Sequence, residues 1–530
     1  MSAILSHSSI QTAETHKPAR ASQTLARSYL VYGIFILCAG LYLLPFMRIM
    51  LLRTDEGTLI YGAVRIAQGQ VFGRDFFEVI GPGTFYWLAA FFKLFGVTFA
   101  ATRVCLFLTT LGTGVSIYFL SRRICPTYKT LPSLLLAGAY FGAVWPGISH
   151  HVDSNFFALL SFAFMILWHD RGKGWMLIAA GALAGITTCF LQPKGMLLLC
   201  AYLVWIAIQR WKRTVSWAAF ALVSIGFAAV IGMVAAYFWS HRALWDVIDC
   251  NFLWPSKHYA GVNSVPYGQG LFLSYWTEWA GAGSYHAWSI VMAAVLITPL
   301  ILTAALPGLL TISGIVHRRT IFEPAILLYW LGGSALWLSE FHRRDIYHLV
   351  MGSPLLIILF VYLLAQDPRR FAATTLQILA ICSACLSAVN LCLTLYAHPI
   401  ETRAGTVAAF GADPALAYLD AHITPGEEIF AYPYSPMYYF LSATTNPTRY
   451  SLLVYNYNTP SQYQEVIRTL EQHKVRYVVW DMTFQSAAVP LAFPNAAHPP
   501  AGGFVIEPYL ESHYKVVWSD SKTRILERAN

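Results

Sequence analysis

The sequence predicts a polytopic α-helical membrane protein of about 11 transmembrane helices, with interfacial helices in its first outer loop and a small α/β domain at its C-terminal end. Three observations carry this reading. Hydrophobic residues make up 57% of the chain and charged residues only 12%, with a mean hydropathy of +0.53. That balance excludes a soluble enzyme and calls for lipid-facing helices. Long apolar runs recur from Tyr29 onward and stop at Tyr396, after which charge rises. Finally, the net charge of +9 comes from short basic clusters between apolar runs, the pattern of cytoplasmic loops, which argues against nucleic-acid binding.

Taken in order, residues 1–28 are polar and carry Lys17, Arg20 and Arg27, so they read as a disordered cytoplasmic tail. The apolar run behind them is too long for a signal-peptide core and lacks a small-residue cleavage site. Spans follow near Tyr29 to Met50, Phe99 to Leu120, Leu131 to Gly147, Ser154 to Trp168, Trp175 to Leu191 and Met196 to Ile208. The series continues near Val215 to Trp239, Ala287 to Val316, Pro324 to Leu338, Ile346 to Ala365 and Phe371 to Tyr396. Basic turns at Ser121-Arg122-Arg123, His169 to Lys173, Arg210 to Arg213, His317-Arg318-Arg319 and Asp367 to Arg370 fall on alternate loops, which places them with the tail on the cytoplasmic side. Gly83 to Phe95, about 13 residues, is short of the roughly 20 that cross a bilayer. It reads as an interfacial helix anchored by Phe85, Tyr86 and Trp87.

The chain thus divides into the tail (1–28), a transmembrane body (29–396) whose first outer loop covers 51–98, and an outer domain (397–530). In that domain Asp413 to His422 and Ser461 to His473 have helical patterns, and Glu428 to Ala431 and Val475 to Trp480 extended ones. Seven of the nine cysteines lie in apolar spans, so no disulfide framework follows. Cys382-x-x-Cys385, without a second ligand pair, reads as apolar packing.

The outer loops hold the candidate chemistry. Asp55, Glu56, Asp75 and Glu78 are four of the chain's 26 acidic residues, and all lie in the first outer loop. Asp55 sits where a helix leaves the membrane, a placement that suits a general base. The structural alternative is that Thr54 or Asp55 caps a helix from Thr58 to Gln68. Asp153 either joins the site or caps the span that begins at Ser154. His150 and His151 beside it make a weak metal signal, so no metal ligand is assigned and a divalent cation stays an option. Lys194, at an outer turn, either snorkels or contacts phosphate. Arg343 and Arg344 run against the positive-inside bias and suit a phosphate at headgroup depth, with pairing to Asp345 as the alternative. Tyr347 and His348 either line the same cavity or belong to an aromatic belt. Span interiors nearly free of charge favour chemistry at the outer face over transport.

The order Asp55-Glu56, Gly69 to Asp75-Phe76, Gly81-Pro82-Gly83-Thr84-Phe85-Tyr86-Trp87, Phe95-Gly96 and Arg103 resembles the first outer loop of GT-C-fold glycosyltransferases. These polyprenyl-phosphate-sugar-dependent enzymes include the aminoarabinose transferases and protein O-mannosyltransferases. Asp153, Lys194-Gly195, Arg344 to Pro354 and the Pro425 to Glu427 turn extend the resemblance along the chain. It implies Asp55 as the base or acceptor-orienting aspartate and Asp153 as the second-loop acidic residue. Lys194, Arg343 and Arg344 would bind the donor phosphate, with Glu56, Asp75, Glu78, Tyr347 and His348 as secondary candidates. The family's Lys-Pro-Pro is Gly81-Pro82-Gly83 here, so that phosphate-binding lysine is absent.

The resemblance further implies an inverting single displacement that moves a sugar from a polyprenyl phosphate to a lipid, glycan or protein acceptor, with no cofactor required. The expected location is the cell (inner) membrane, with the site and the C-terminal domain on the outer face. Two other classes are consistent with the sequence: a lipid-linked-sugar flippase or transporter, and a non-catalytic partner that keeps the fold.

Overall fold

The computed structural model describes residues 17–50, 54–143, 147–263, 265, 267–268, 290–291, 294–303, 323–455, 457–482 and 505–529. Arg53, most of the expected span from Ala287 to Val316 and the basic turn at His317 to Arg319 lie outside the described residues.

Helix α1 (Lys17–Leu43) begins inside the stretch expected as tail. Residues 17–28 are therefore helical rather than disordered: Pro18 is compatible with a first turn, and Ala19 to Arg27 contains no helix breaker. After a 3₁₀ turn (Leu44–Arg48) come α2 (Asp55–Ala67) and α3 (Gly83–Phe95), the two helices of the first outer loop. The body continues with α4 (Phe99–Ile124), α5 (Leu131–Ala143), α6 (His150–Arg171), α7 (Gly174–Phe190), α8 (Gln192–Trp211) and α9 (Trp217–Ser240). Beyond short helices at Leu244–Ile248 and Trp254–Asn263 it resumes with α10 (Pro324–Ser339), α11 (Ile346–Gly352), α12 (Pro354–Gln366) and α13 (Arg370–Leu393).

Among the described residues, five helices are long and apolar enough to cross a membrane: Tyr29–Arg48, Phe99–Ile124, His150–Arg171, Trp217–Ser240 and Arg370–Tyr396. Shorter apolar helices run over Gly174–Phe190, Ala294–Thr303 and Pro324–Ser339. The expected single span from Ile346 to Ala365 is instead two helices, α11 and α12, bent by 66°. Pro354 accounts for the break, because it lacks the N–H that would continue the helical hydrogen bonds and its ring crowds the preceding turn, while Ser353 itself keeps helical φ/ψ. The bend matters for the site, since it leaves Asp345 to His348 on a short helix of their own.

The C-terminal domain opens with an antiparallel pair, β1 (His398–Ile400) and β2 (Val407–Ala409). Its main sheet has four strands in the order β3-β4-β6-β5, from β3 (Ile429–Tyr432), β4 (Tyr477–Asp481), β5 (Tyr514–Ser519) and β6 (Thr523–Arg528). Strands β3 and β4 are parallel, with Phe430 opposite Val478, and the other pairs are antiparallel. Helices α14 (Pro414–His422), α15 (Met437–Leu441), α16 (Pro460–Gln472) and α17 (Ile506–His513) complete it. Asp413 caps α14 by accepting from the Leu416 N–H, and Thr459 with Gln462 forms a capping box on α16.

The domain is seated on the first outer loop. Every residue of α2 from Glu56 to Ile66 is buried, and the helix starts at Asp55 rather than at the expected Thr58. The Tyr61 hydroxyl accepts from the Asn446 N–H at 2.7 Å, and the Tyr61 ring lies 4.6 Å from that of Tyr439. Arg65 donates to the Thr448 carbonyl at 3.0 Å, and the Phe77 N–H to the Arg449 carbonyl at 2.9 Å. A methyl group on Gly57 would stand 2.6 Å from the Met437 nitrogen, so only glycine permits this approach of α2 to α15.

Candidate active site

The two carboxylates of the Asp55-Glu56 pair go opposite ways. Asp55, the first residue of α2, is exposed. Its Oδ1 accepts a 2.5 Å hydrogen bond from the Tyr434 hydroxyl, brought from the C-terminal domain by the turn between β3 and α15. Glu56 is 2% exposed. Its Oε1 lies 2.7 Å from Nη1 of Arg103 in α4 and accepts the Ile148 N–H at 3.0 Å. The Arg103 guanidinium also covers the Phe99 ring at 4.2 Å. Thr54, at the N-cap position, makes no side-chain capping bond. The pair is therefore a division of labour, with Glu56 locking the helix start to α4 and Asp55 held at the surface.

The remaining acids of the loop separate in the same way. Asp75 pairs with Arg74 at 2.8 Å and accepts the Val71 N–H, which folds the loop back on itself. Glu78 is buried, and burial pushes its carboxyl up to about 8, with the Asp55 charge adding to the rise and Arg65 opposing it. Burial, and then the adjacent Asp55 carboxylate, hold the Tyr434 phenol well above its ordinary range, so Tyr434 is the proton donor in its bond to Asp55.

A second cluster lies where α6, α8, α10 and α11 meet. Asp153 does not cap α6: Ser149 does, by accepting the His151 N–H. Asp153 is instead 2% exposed and accepts from the Thr84 hydroxyl of α3 at 2.8 Å, tying the loop helix to the body. Lys194 does not snorkel. It is fully buried, 2.7 Å from Glu340 and donating to Asn155 at 2.7 Å and Ser154 at 3.1 Å. Glu340 has His151 Nδ1 3.0 Å from its other oxygen. Arg343 lies 2.6 Å from Asp345, which also bonds His348 Nδ1 at 2.6 Å. Among the described residues the Arg344 guanidinium has no acidic partner. The Tyr347 hydroxyl donates to Ser149 at 2.6 Å, which ties α11 to the N-cap of α6.

Of the residues expected at the site, Tyr347 and His348 lie on α11 in this second cluster and Asp55 is exposed at the start of α2 against Tyr434, while Glu56, Asp75, Asp153 and Lys194 are engaged by protein partners. Sequence reading missed Glu340 and Tyr434. A lone carboxylate directly after an apolar run was a usable sign of Glu340, because a charge at a helix end in lipid needs a partner. Tyr434 left no local sign, being separated from Asp55 by 379 positions. Close packing explains the missing lysine of the Gly81-Pro82-Gly83 stretch in part: a Cβ on Gly81 would lie 2.4 Å from the Cys189 carbonyl oxygen, so the turn is pressed onto the end of α7.

No protein-family model matches the chain, and no curated protein matches it in sequence. Its fold does match solved membrane glycosyltransferases. ArnT from Cupriavidus metallidurans bound to undecaprenyl phosphate superposes with a TM-score of 0.52 at 12% identity, over 94% of this chain and 97% of that one. The same protein in the apo state gives 0.54 at 12% identity, over 95% and 98%. The archaeal oligosaccharyltransferase AglB from Archaeoglobus fulgidus, in complex with an inhibitory peptide and a dolichol-phosphate, gives 0.50 at 11% identity, over 95% of this chain and 75% of that one. The fold is thus the GT-C fold that the loop motifs resemble.

Proposed function

We propose that this membrane protein is a glycosyltransferase that moves a sugar from a polyprenyl phosphate donor to an acceptor outside the membrane. The observation that carries the reading is Asp55: an exposed carboxylate at the start of the first loop, held by Tyr434, in a fold shared with a protein solved with undecaprenyl phosphate bound. A polyprenyl phosphate places its sugar at headgroup height, where an acceptor can meet it from the aqueous side. Asp55 takes the proton of the attacking acceptor group as that group bonds to the anomeric carbon, and the phosphate leaves with the bonding electron pair. One displacement inverts the anomeric centre. The phosphate is a good leaving group, so no general acid is required.

Arg344, and Arg343 once turned from Asp345, supply guanidinium groups for the phosphate. Lys194 reaches it only by giving up Glu340, so its first role in this reading is to hold that carboxylate. Asp153 positions α3 through Thr84. The cytoplasmic side carries the basic turns, and the pocket and C-terminal domain face outward, in the cell (inner) membrane.

The test uses purified protein in lipid, labelled polyprenyl phosphate sugars and membrane extract as acceptor. Wild type is expected to transfer label and Asp55→Asn to lose about 10²- to 10⁴-fold in rate. Folded wild type that transfers from no donor, or an Asp55→Asn variant as fast as wild type, overturns the reading; movement of donor across vesicles without transfer would identify a flippase.

A further inference from the structure

Three histidines that the transfer step leaves unassigned converge beside Tyr347. His151 comes from the first turn of α6, His342 from the loop after α10 and His348 from the first turn of α11, and one ligand nitrogen from each lies within 4.8 Å of the others. The His348 ring centroid is 4.5 Å from that of His151 and 5.3 Å from that of His342, each nearly perpendicular, while His151 and His342 are parallel at 6.1 Å.

Two of the rings, His342 and His348, are held from behind by a hydrogen bond through Nδ1, and His151 has a carboxylate close to its Nδ1. His151 Nδ1 lies 3.0 Å from Glu340 Oε2, His342 Nδ1 3.1 Å from the Ser339 carbonyl oxygen and His348 Nδ1 2.6 Å from Asp345 Oδ1. For His342 and His348 a proton on Nδ1, directed at these acceptors, puts the lone pair of the neutral imidazole on Nε2. A carboxylate or carbonyl behind every ring is the arrangement that orients metal-ligating histidines and raises their basicity. The supports are themselves fixed: Asp345 caps α11 through the His348 N–H at 3.0 Å, and fully buried Glu340 is anchored by Lys194 at 2.7 Å.

We infer that His151, His342 and His348 form a divalent-cation site, ligating through Nε2, and that the ion it selects is Zn²⁺. Three imidazoles with an open fourth position suit zinc, whereas Mg²⁺ and Ca²⁺ require oxygen ligands. Zinc–nitrogen bonds of about 2.0–2.1 Å in tetrahedral geometry bring the nitrogens to about 3.4 Å of one another, so the rings close by roughly 1 Å on binding. Charge favours an anion as the fourth ligand. The Lys194–Glu340 and Arg343–Asp345 pairs cancel, so these two carboxylates do not offset the ion's two positive charges. In the proposed transfer reaction that anion is the donor phosphate. That last use, counter-charge to the departing donor phosphate, rests on the proposed function; the metal site does not.

The experiment measures metal directly. Untagged full-length protein in detergent is stripped with a chelator, incubated with Zn²⁺, passed through gel filtration and assayed by mass spectrometry for zinc per chain. Wild type is expected to retain one ion. His342→Ala and His348→Ala are expected to bind 10- to 100-fold more weakly, and the double variant to retain less than about a tenth of an ion. His150→Ala, whose ring lies 4.0 Å from His151 but outside the triad, should retain the ion. Added zinc should raise the unfolding temperature of wild type and not of the double variant, which separates lost ligation from lost folding. Co²⁺ in place of zinc should give the visible bands of a tetrahedral site, absent from the double variant. No retained zinc in wild type, or equal retention in the double variant, overturns the site. Zinc retained without any sugar transfer would leave the site standing and sink its catalytic use; transfer by metal-free protein at full rate would also sink that use, while leaving the glycosyltransferase reading intact.

Discussion

At the scale of residues, adjacent carboxylates owe their different roles to what surrounds them. Glu56 is sealed against Arg103, so Glu56→Gln leaves a buried guanidinium without its counter-ion. It is expected to destabilise the protein by about 3–5 kcal/mol, measured by unfolding in detergent. Asp55→Asn, at an exposed position, should leave stability nearly unchanged while removing transfer. Glu78 yields a pH signature. Burial raises its carboxyl from 4.5 to about 8, so the folded state keeps a proton that the unfolded chain releases above pH 4.5. This contribution to stability is fully present below pH 4.5 and is lost as pH rises to about 8. Glu78→Gln should therefore flatten the fall in stability over that window; an unchanged slope would show that Glu78 does not carry it. The aspartate–glutamate pair was legible in sequence as a loop cluster of acids. Which of the two was buried was not, because Arg103 and Ile148 reach Glu56 only after α4 and α6 have packed.

At the scale of elements, helix existence was well marked by apolar length and charge. Expected Gly83 to Phe95 is found as Gly83–Phe95, and Phe99 to Leu120 extends only to Ile124. Breaks were less visible: Ile346 to Ala365 reads as one apolar run, and Pro354 turns it into two helices at 66°. That bend sets Asp345, Tyr347 and His348 on one short helix facing α6. Helix α2 shows the opposite effect, with packing overriding pattern. Its polar positions are buried because a second domain covers them. Gly57 is the point of closest approach, so Gly57→Ala, whose methyl would meet the Met437 backbone at 2.6 Å, is expected to cost about 1–3 kcal/mol. It should also slow transfer by displacing Tyr434 from Asp55. Gly33→Ala, with nothing within 4 Å of the added carbon, is the control and should be neutral or mildly stabilising. Equal effects at the two glycines would refute the close-packing account.

At the scale of the whole molecule, the outer domain is packed onto the first outer loop that carries Asp55. It contributes Tyr434 to Asp55 and covers Tyr61, Arg65 and Phe77 of the loop. Removing residues 397–530 is expected to expose α2, abolish transfer and leave a body that aggregates in detergent; a monodisperse, active truncation would show the domain to be dispensable. Composition and loop charge by themselves determined that the chain is a helical membrane protein with a compact domain after Tyr396, because hydrophobic length and the cost of charge in lipid act on each segment separately. The helical and extended patterns also placed α14, α16, β3 and β4 close to where they are found. Only the tertiary structure decided that Lys194 belongs to Glu340, that Asp55 belongs to Tyr434 and that three histidines meet. Those pairings join residues far apart in the chain, and the free energy of burying a charge or orienting an imidazole depends on neighbours that no local pattern encodes.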